Sequence, residues 1–310
     1  DKDNQAWWDW YVSLADNDSK EHKIININPL PDVQIPSDDE VISELAEPYH
    51  LTNDQVNFFK KNGFIKLKKV FSPGAVLKLR AELINLLKKE FKVDPDKEAY
   101  DRFLSLEMTW PDNALLRAYV LSPRLGQISA NLLEVSAVRL YHDNVLAKQS
   151  GCGRTPWHFD DHHFPLDTND VVTAWAPAQP TPIEMGPLSF AYPLDVHELI
   201  KDVTFEKTGT GYDREVSNIF SKNNVNVNAT PFELGEVSFH HNLNFHTASS
   251  NRTNCSRIAL ANTYYRDGAR VINSPTMVSG DWQKFMPNVK PGDIAASPLN
   301  PICWPVKSEI

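Results

Sequence analysis

The chain has 310 residues, 41% hydrophobic and 23% charged. That composition supports a sizeable core and excludes wholesale disorder, and no run of about 18 apolar residues occurs to form a helical membrane span. The net charge of −9 sits wholly in residues 1–50, which carry 12 acidic and 3 basic side chains, so the remainder is neutral and offers no basic footprint for nucleic acid.

The first residues are acidic and polar, without a basic stretch leading into an apolar one, so no secretory signal is expected. Residues 1–50 read as an acidic, mostly irregular segment punctuated by Pro29, Pro31, Pro36 and Pro48. Such a charge pattern fits a solvated arm first and a cap over the body second. Its aromatic cluster, Trp7, Trp8, Trp10 and Tyr11, is expected to pack on the body. Residues 51–310 read as one domain. Thr52-x-x-Gln55 is a capping box that opens a short helix through Phe58 and Phe59, ending near Gly63. Phe64 to Val70 alternates like a strand. Ser72-Pro73 and Ser122-Pro123 each place an N-cap before a proline suited to the first helical turn. The helices they open show Val76, Leu79, Leu83, Leu86 and Leu87, then Leu125, Ile128 and Leu132, at helical spacing. Phe58, Phe59 and Phe71 are assigned to the core.

From about Val135 the pattern changes to short apolar or alternating runs separated by Pro, Gly and Asn: Ala137–Leu146, Val171–Ala176, Leu188–Ala191, Val237–His240 and Arg257–Tyr265. This reads as an antiparallel β sandwich or barrel. Residues 201–230 are polar and Asn-rich and are expected to form an insertion or lid loop. The class is α+β, helices first and then a β core. Cys152, Cys255 and Cys303 are odd in number and far apart, so neither a disulfide framework nor a CxxC zinc site is present. A reducing, cytoplasmic setting is expected.

The strongest chemical signal is Trp157-His158-Phe159-Asp160. In a strand, residues i and i+2 share a face, so His158 and Asp160 would aim an imidazole and a carboxylate at one point. Two histidines and one carboxylate on one side of a metal, with other positions open, is the ligand set of non-haem Fe(II) oxygenases. The segment from Gly235 to Arg257 offers His240, His241 and His246 as the second histidine. His246 is preferred because it stands eleven residues before Arg257, which begins a strand. His240 and His241 read as strand-end residues instead. A turn between antiparallel neighbours would bring the Arg257 guanidinium beside the metal, where its fork could grip a carboxylate. The carboxylate expected there is the distal end of 2-oxoglutarate. A lone HxD is a weak motif, and Asp161-His162-His163 also allows a zinc site on His158 with His162 or His163.

Taken together these residues resemble the phytanoyl-CoA dioxygenase family of Fe(II)- and 2-oxoglutarate-dependent oxygenases. The resemblance spans about residues 51–304. It includes the opening Leu51 to Ile65, Pro156 to Asp160, Val171 to Ala176, Met185-Gly186-Pro187-Leu188, and His246 followed by Asn251-Arg252 and Arg257. It implies a double-stranded β-helix (jelly-roll, cupin-like) core with N-terminal helices packed on it. It also implies iron on His158, Asp160 and His246, 2-oxoglutarate on Arg257, and O2 as the oxidant. Trp175 matches a family tryptophan lining the co-substrate pocket, and Lys148 is the favoured further co-substrate contact. The chain departs from the family at Phe159, often Gln in relatives, at Ala248, often Ser, and at Pro193 to His197, which replaces a Pro-Gly-Ser-His run. Asp160 in place of Gly or Ala disfavours halogenation.

Tyr141, His142 and Asn144 lie on the run before the HxD; they either face the pocket, where they would hold 2-oxoglutarate or a polar substrate, with Tyr141 taken as a co-substrate contact, or form a solvated strand face. His162 and His163 are surface groups first, and otherwise support the metal ligands or touch substrate; Arg266 either reaches an anionic substrate or closes the barrel mouth, and Cys152 is a bystander. The expected activity is oxidation of an unactivated C–H bond of a small molecule, a specialised metabolite or amino-acid derivative. Hydroxylation is the default, with succinate and CO2 released. Desaturation or oxidative cyclisation in natural-product biosynthesis, a non-catalytic jelly-roll binding protein and a zinc hydrolase are the alternatives.

Overall fold

A computed structural model describes residues 5–16, 23–28, 30–97, 101–204, 208–275 and 281–305. The helices are α1 (Gln5–Ser13), α2 (Asp38–Ala46), α3 (Asn53–Asn62), α4 (Pro73–Phe91), α5 (Ala114–Val120), α6 (Pro123–Leu133) and α7 (Gly211–Lys222). The strands are β1 (Phe64–Leu67), β2 (Phe103–Glu107), β3 (Val138–Lys148), β4 (Thr155–His158), β5 (Val171–Pro177), β6 (Leu188–Tyr192), β7 (Asn226–Asn228), β8 (Val237–His241), β9 (His246–Ala248), β10 (Arg257–Arg266) and β11 (Ile302–Trp304). None of the described helices is long and apolar enough to cross a membrane.

Two antiparallel sheets form the jelly roll. The larger runs β1-β8-β5-β10-β3-β11, with β2 also on β3; the smaller runs β4-β9-β6-β7. The period of two sorts the side chains of the large sheet. Val172, Ala174 and Ala176 of β5, with Ile258, Leu260 and Tyr264 of β10, join the core shared with the helices. Trp175, Ala259 and Ala261 point to the other side, into the space between the sheets. In the β10–β3 register Thr263 lies opposite His142 and Tyr264 opposite Leu140, so Tyr141 is the extra residue of a bulge.

The helix signals act as their chemistry requires. Thr52 accepts from the Gln55 N–H while the Gln55 side chain accepts from the Thr52 N–H, and Gly63 closes α3 at φ 73°, a region that favours glycine. Ser72 caps α4 with Pro73 in its first turn. Leu79, Leu83 and Leu87 recur every fourth residue on α4 and are fully buried, each contributing about 1.5–3 kcal/mol of apolar transfer free energy.

Three expectations change. Residues 211–222 of the Asn-rich stretch form α7, and 226–228 form β7. Tyr212, Val216 and Phe220 recur every fourth residue and pack with Trp157 and Phe245; the polar residues between them hide the stripe. Residues 205–207 lie outside the described residues. The acidic segment holds two helices, α1 and α2, the second opened by a Ser37–Glu40 capping box. Tyr11, Leu14 and Ala15 at and after α1 are buried, so this part is packed on the body rather than solvated. Phe58 is 43% exposed, with only an edge on Phe64, whereas Phe59 and Phe71 are core.

Candidate metal centre

His158 is the last residue of β4 and His246 the first of β9, and the two are directly opposed in the small sheet. Their rings lie 4.1 Å apart. Asp160 reaches the same point by a different route from the expected one. The strand ends at His158, and the chain turns so that Asp160 adopts a helical backbone, φ −89° and ψ −14°. The turn is fixed by the Asp160 and Asp161 N–H groups, which both donate to the Asn242 carbonyl, at 2.8 and 3.1 Å. The ligand atoms of His158, Asp160 and His246 all lie within 4.8 Å of one another.

The hydrogen bonds set the orientation of all three. His158 Nδ1 is 2.9 Å from the Pro156 carbonyl and His246 Nδ1 is 3.0 Å from the Asn244 carbonyl. A carbonyl only accepts, so Nδ1 carries the proton in each ring and Nε2 presents its lone pair. Asp160 Oδ1 faces both Nε2 atoms, at 3.9 Å from His158 and 3.7 Å from His246. Its Oδ2 is taken by Thr173 Oγ1 and His240 Nε2, each at 3.4 Å. Burial works against charge on this carboxylate, but His246, His240 and His158 around it hold its pKa well below the ordinary range. Burial also pushes the pKa of His158 down and that of His246 well down. Two neutral imidazoles and one carboxylate are the donor set, and the protonation state, that a non-haem Fe(II) centre requires.

Arg257 opens β10 and is 2% exposed. Its Nη1 donates to the Gly186 carbonyl at 2.6 Å, and its guanidinium lies 5.3 Å from the Trp175 ring centre. Its Nε and the Trp175 indole N–H are buried without a hydrogen-bond partner. No carboxylate pairs with Arg257 among the described residues, and burial lowers its pKa to about 10. A buried cation on the cavity wall, with Nε unpartnered and no carboxylate beside it, is arranged for an anion. The reason for its placement differs from the expected hairpin: β9 and β10 belong to different sheets, so His246 and Arg257 line one cavity from opposite sheets of the sandwich.

The remaining candidates separate clearly. Lys148 is directly opposite Arg257 in the β3–β10 register and wholly buried. Its ammonium donates to the Ala248 and Ser249 carbonyls, and it does not line the cavity beside the triad. Tyr141, His142, Asn144, His163, Trp175 and His240 do line it. The Tyr141 hydroxyl is 3.4 Å from the His163 carbonyl. His162 packs on Phe159, His241 on Phe59, and Arg266 pairs with Asp170 at the surface. Cys152 is buried, which pushes its thiol pKa up.

Two features escape the sequence reading. His240, expected as a strand-end residue, faces the site from β8 and holds Asp160. Nothing in the run around it signals that role, because the partner carboxylate stands eighty residues earlier. The second is α1, whose Trp7, Trp8 and Tyr11 line the cavity. The aromatic cluster is visible in the sequence, but its docking site is a tertiary fact.

Comparisons with known proteins agree with this architecture. The family model described as phytanoyl-CoA dioxygenase (PhyH) matches residues 59–259. The peroxisomal phytanoyl-CoA dioxygenase of Mus musculus is 24% identical over 231 residues, covering 68% of this chain and 67% of the relative. Among solved structures, the α-ketoglutarate-dependent carbocyclase SnoK of nogalamycin biosynthesis superposes with a TM-score of 0.66 at 23% identity, covering 83% of this chain and 99% of its own. EctD from S. alaskensis with 2-oxoglutarate and 5-hydroxyectoine gives 0.60 at 14%, covering 92% and 98%. These likenesses establish the fold. With the family model matched over most of its length, the chain belongs to the phytanoyl-CoA dioxygenase family.

Proposed function

We propose that the protein is an Fe(II)- and 2-oxoglutarate-dependent dioxygenase that hydroxylates an unactivated C–H bond of a small molecule, releasing succinate and CO2. The observation that carries this reading is the convergence of His158, Asp160 and His246 beside the buried Arg257, whose Nε has no partner. Family membership supports it independently. His158, Asp160 and His246 would hold the iron, and Arg257 would take the distal carboxylate of 2-oxoglutarate. When bound, the iron supplies activation of O2 and oxidation of the substrate carbon.

The chain's own residues supply orientation and exclusion of water. The Pro156 and Asn244 carbonyls lock the two imidazoles. Thr173 and His240 hold Oδ2 of Asp160 so that Oδ1 stays turned to the histidines. Trp175 walls the cavity at Arg257 and leaves its N–H for an acceptor. The Lys148 ammonium is committed to the Ala248 and Ser249 carbonyls, so it braces the wall beside Arg257 rather than touching the co-substrate. Tyr141 lines the cavity from its bulge.

The test is succinate release from 2-oxoglutarate with Fe(II) and O2. It should require both, and His158→Ala should abolish it. Turnover at the native rate in that variant overturns the assignment.

A further inference from the structure

α1 lies over the site and spans it. Its Tyr11 ring stands edge-on to the His158 ring at 5.6 Å, and Trp7 stands edge-on to His163 at 5.7 Å. Trp8 stacks on Phe103 at 4.7 Å, and the Phe103 ring is 6.0 Å from the Arg257 guanidinium. One short helix therefore covers both the ligand histidine and the neighbourhood of the buried cation. It is fastened at both ends. The Gln5 side chain donates to the Phe103 carbonyl and accepts from the Ser105 N–H, as a neighbouring strand would. At the other end the Asp16 N–H donates to the buried Asp213 carboxylate of α7 at 2.9 Å.

The cavity under α1 is small, about 140 Å³. Among the described residues Arg257 is the only Lys or Arg that lines it, and the one lining carboxylate besides Asp160, Glu107, is held by Lys284 at 2.7 Å. The indole N–H groups of Trp7 and Trp8 are buried and without a partner. Rings without net charge, with idle donors among them, select by stacking and by accepting oxygens.

We propose that α1 is a wall of the substrate chamber, and that the chamber takes a compact, uncharged, ring-bearing molecule with acceptor oxygens. A coenzyme A thioester is disfavoured, because among the described residues the cavity lining offers its phosphates no cation beyond the one assigned to 2-oxoglutarate. This inference takes the site's chemistry from the oxygenase reading, but the binding it specifies does not depend on turnover.

The probe is coumarin, neutral, bicyclic and bearing a lactone oxygen, titrated calorimetrically into the full chain as purified. Hexanoyl-coenzyme A is titrated in parallel. Coumarin should bind and the thioester should not. Trp8→Ala should weaken coumarin at least tenfold. Trp7→Phe keeps an aromatic ring in the same place, so it should weaken coumarin by only a few fold through the lost N–H and the smaller ring, and guards against a variant that misfolds. Thioester binding as tight as that of coumarin, or native coumarin affinity in both variants, overturns the proposal. Coumarin binding in a protein that never releases succinate would overturn the oxygenase reading alone.

Discussion

The floor and the cover of the cavity are built by different rules. The floor is strand-borne. Trp175, Ala261, Thr263 and Arg257 face it because they alternate with Ala174, Leu260 and Ile258, which are committed to the helix-facing core. Slipping either strand by one residue would turn its whole set over. The cover, α1, lies outside both sheets and is held by a few side-chain contacts and stacked rings. A floor fixed by register is rigid and serves groups common to the chemistry. A cover held by a few side-chain contacts outside the sheet ladders is free to vary, and in the proposal above it serves what differs, the substrate.

That contrast can be broken from either side. The largest effect is expected at the floor's edge: Asp160→Ala removes the only carboxylate of the triad, and succinate release should fall to background with the melting temperature little changed. Next, Arg257→Ala should weaken 2-oxoglutarate binding about 100-fold, the loss of about 3 kcal/mol expected when two charge-assisted hydrogen bonds go, as read by calorimetry. Native affinity there would detach Arg257 from the co-substrate.

For the cover, Asp213 is the point to strike. Its carboxylate accepts from the Asp16 N–H at 2.9 Å and from the Trp157 N–H at 2.8 Å, and pairs with Arg154. Asp213→Asn should cost about 1–3 kcal/mol in a denaturant melt and speed amide exchange over residues 5–16 while α4 keeps its protection. Uniform loss of protection would mean that cover and floor unfold as one unit.

The smallest effect is expected at Lys148. Burial lowers its pKa to about 7 against an unfolded value near 10.4. The unfolded chain thus binds more protons between about pH 7 and 10, so stability from this residue rises with pH across that window and is lowest below it. Lys148→Met should therefore be the more stable protein at pH 7 in thermal melts, with the gap closing towards pH 10. Its 2-oxoglutarate affinity should change by less than about tenfold, since the ammonium is spent on carbonyls.

What is legible in the sequence follows the same division. Capped helices and alternating strands are local patterns, so α3, α4, α6 and the strands β3, β5, β6, β8 and β10 stand within a few residues of where those patterns put them. Spacing and residue type point to His158, Asp160, His246 and Arg257, and the structure brings the four to one cavity. The reasons are less legible than the residues. Asp160 is delivered by a turn pinned on Asn242, and Arg257 by the opposed sheet, and neither is a property of neighbours in sequence. α7 is hidden because its buried positions are diluted by polar ones. The docking of α1 depends on Phe103, His158 and Asp213, far along the chain, so only its aromatic character can be read in advance.

The central claim is that His246, and not its neighbour His240, completes a three-ligand iron site. The two rings are only 4.5 Å apart, yet one turns its Nε2 to Asp160 Oδ1 and the other to Oδ2. The direct measurement is an anaerobic Fe(II) titration with 2-oxoglutarate present. The native chain should take up one ion, His240→Ala should take up one ion about 10–100-fold more weakly, and His246→Ala should take up none at the same concentrations. Stoichiometric binding by His246→Ala, with loss in His240→Ala, would contradict the account.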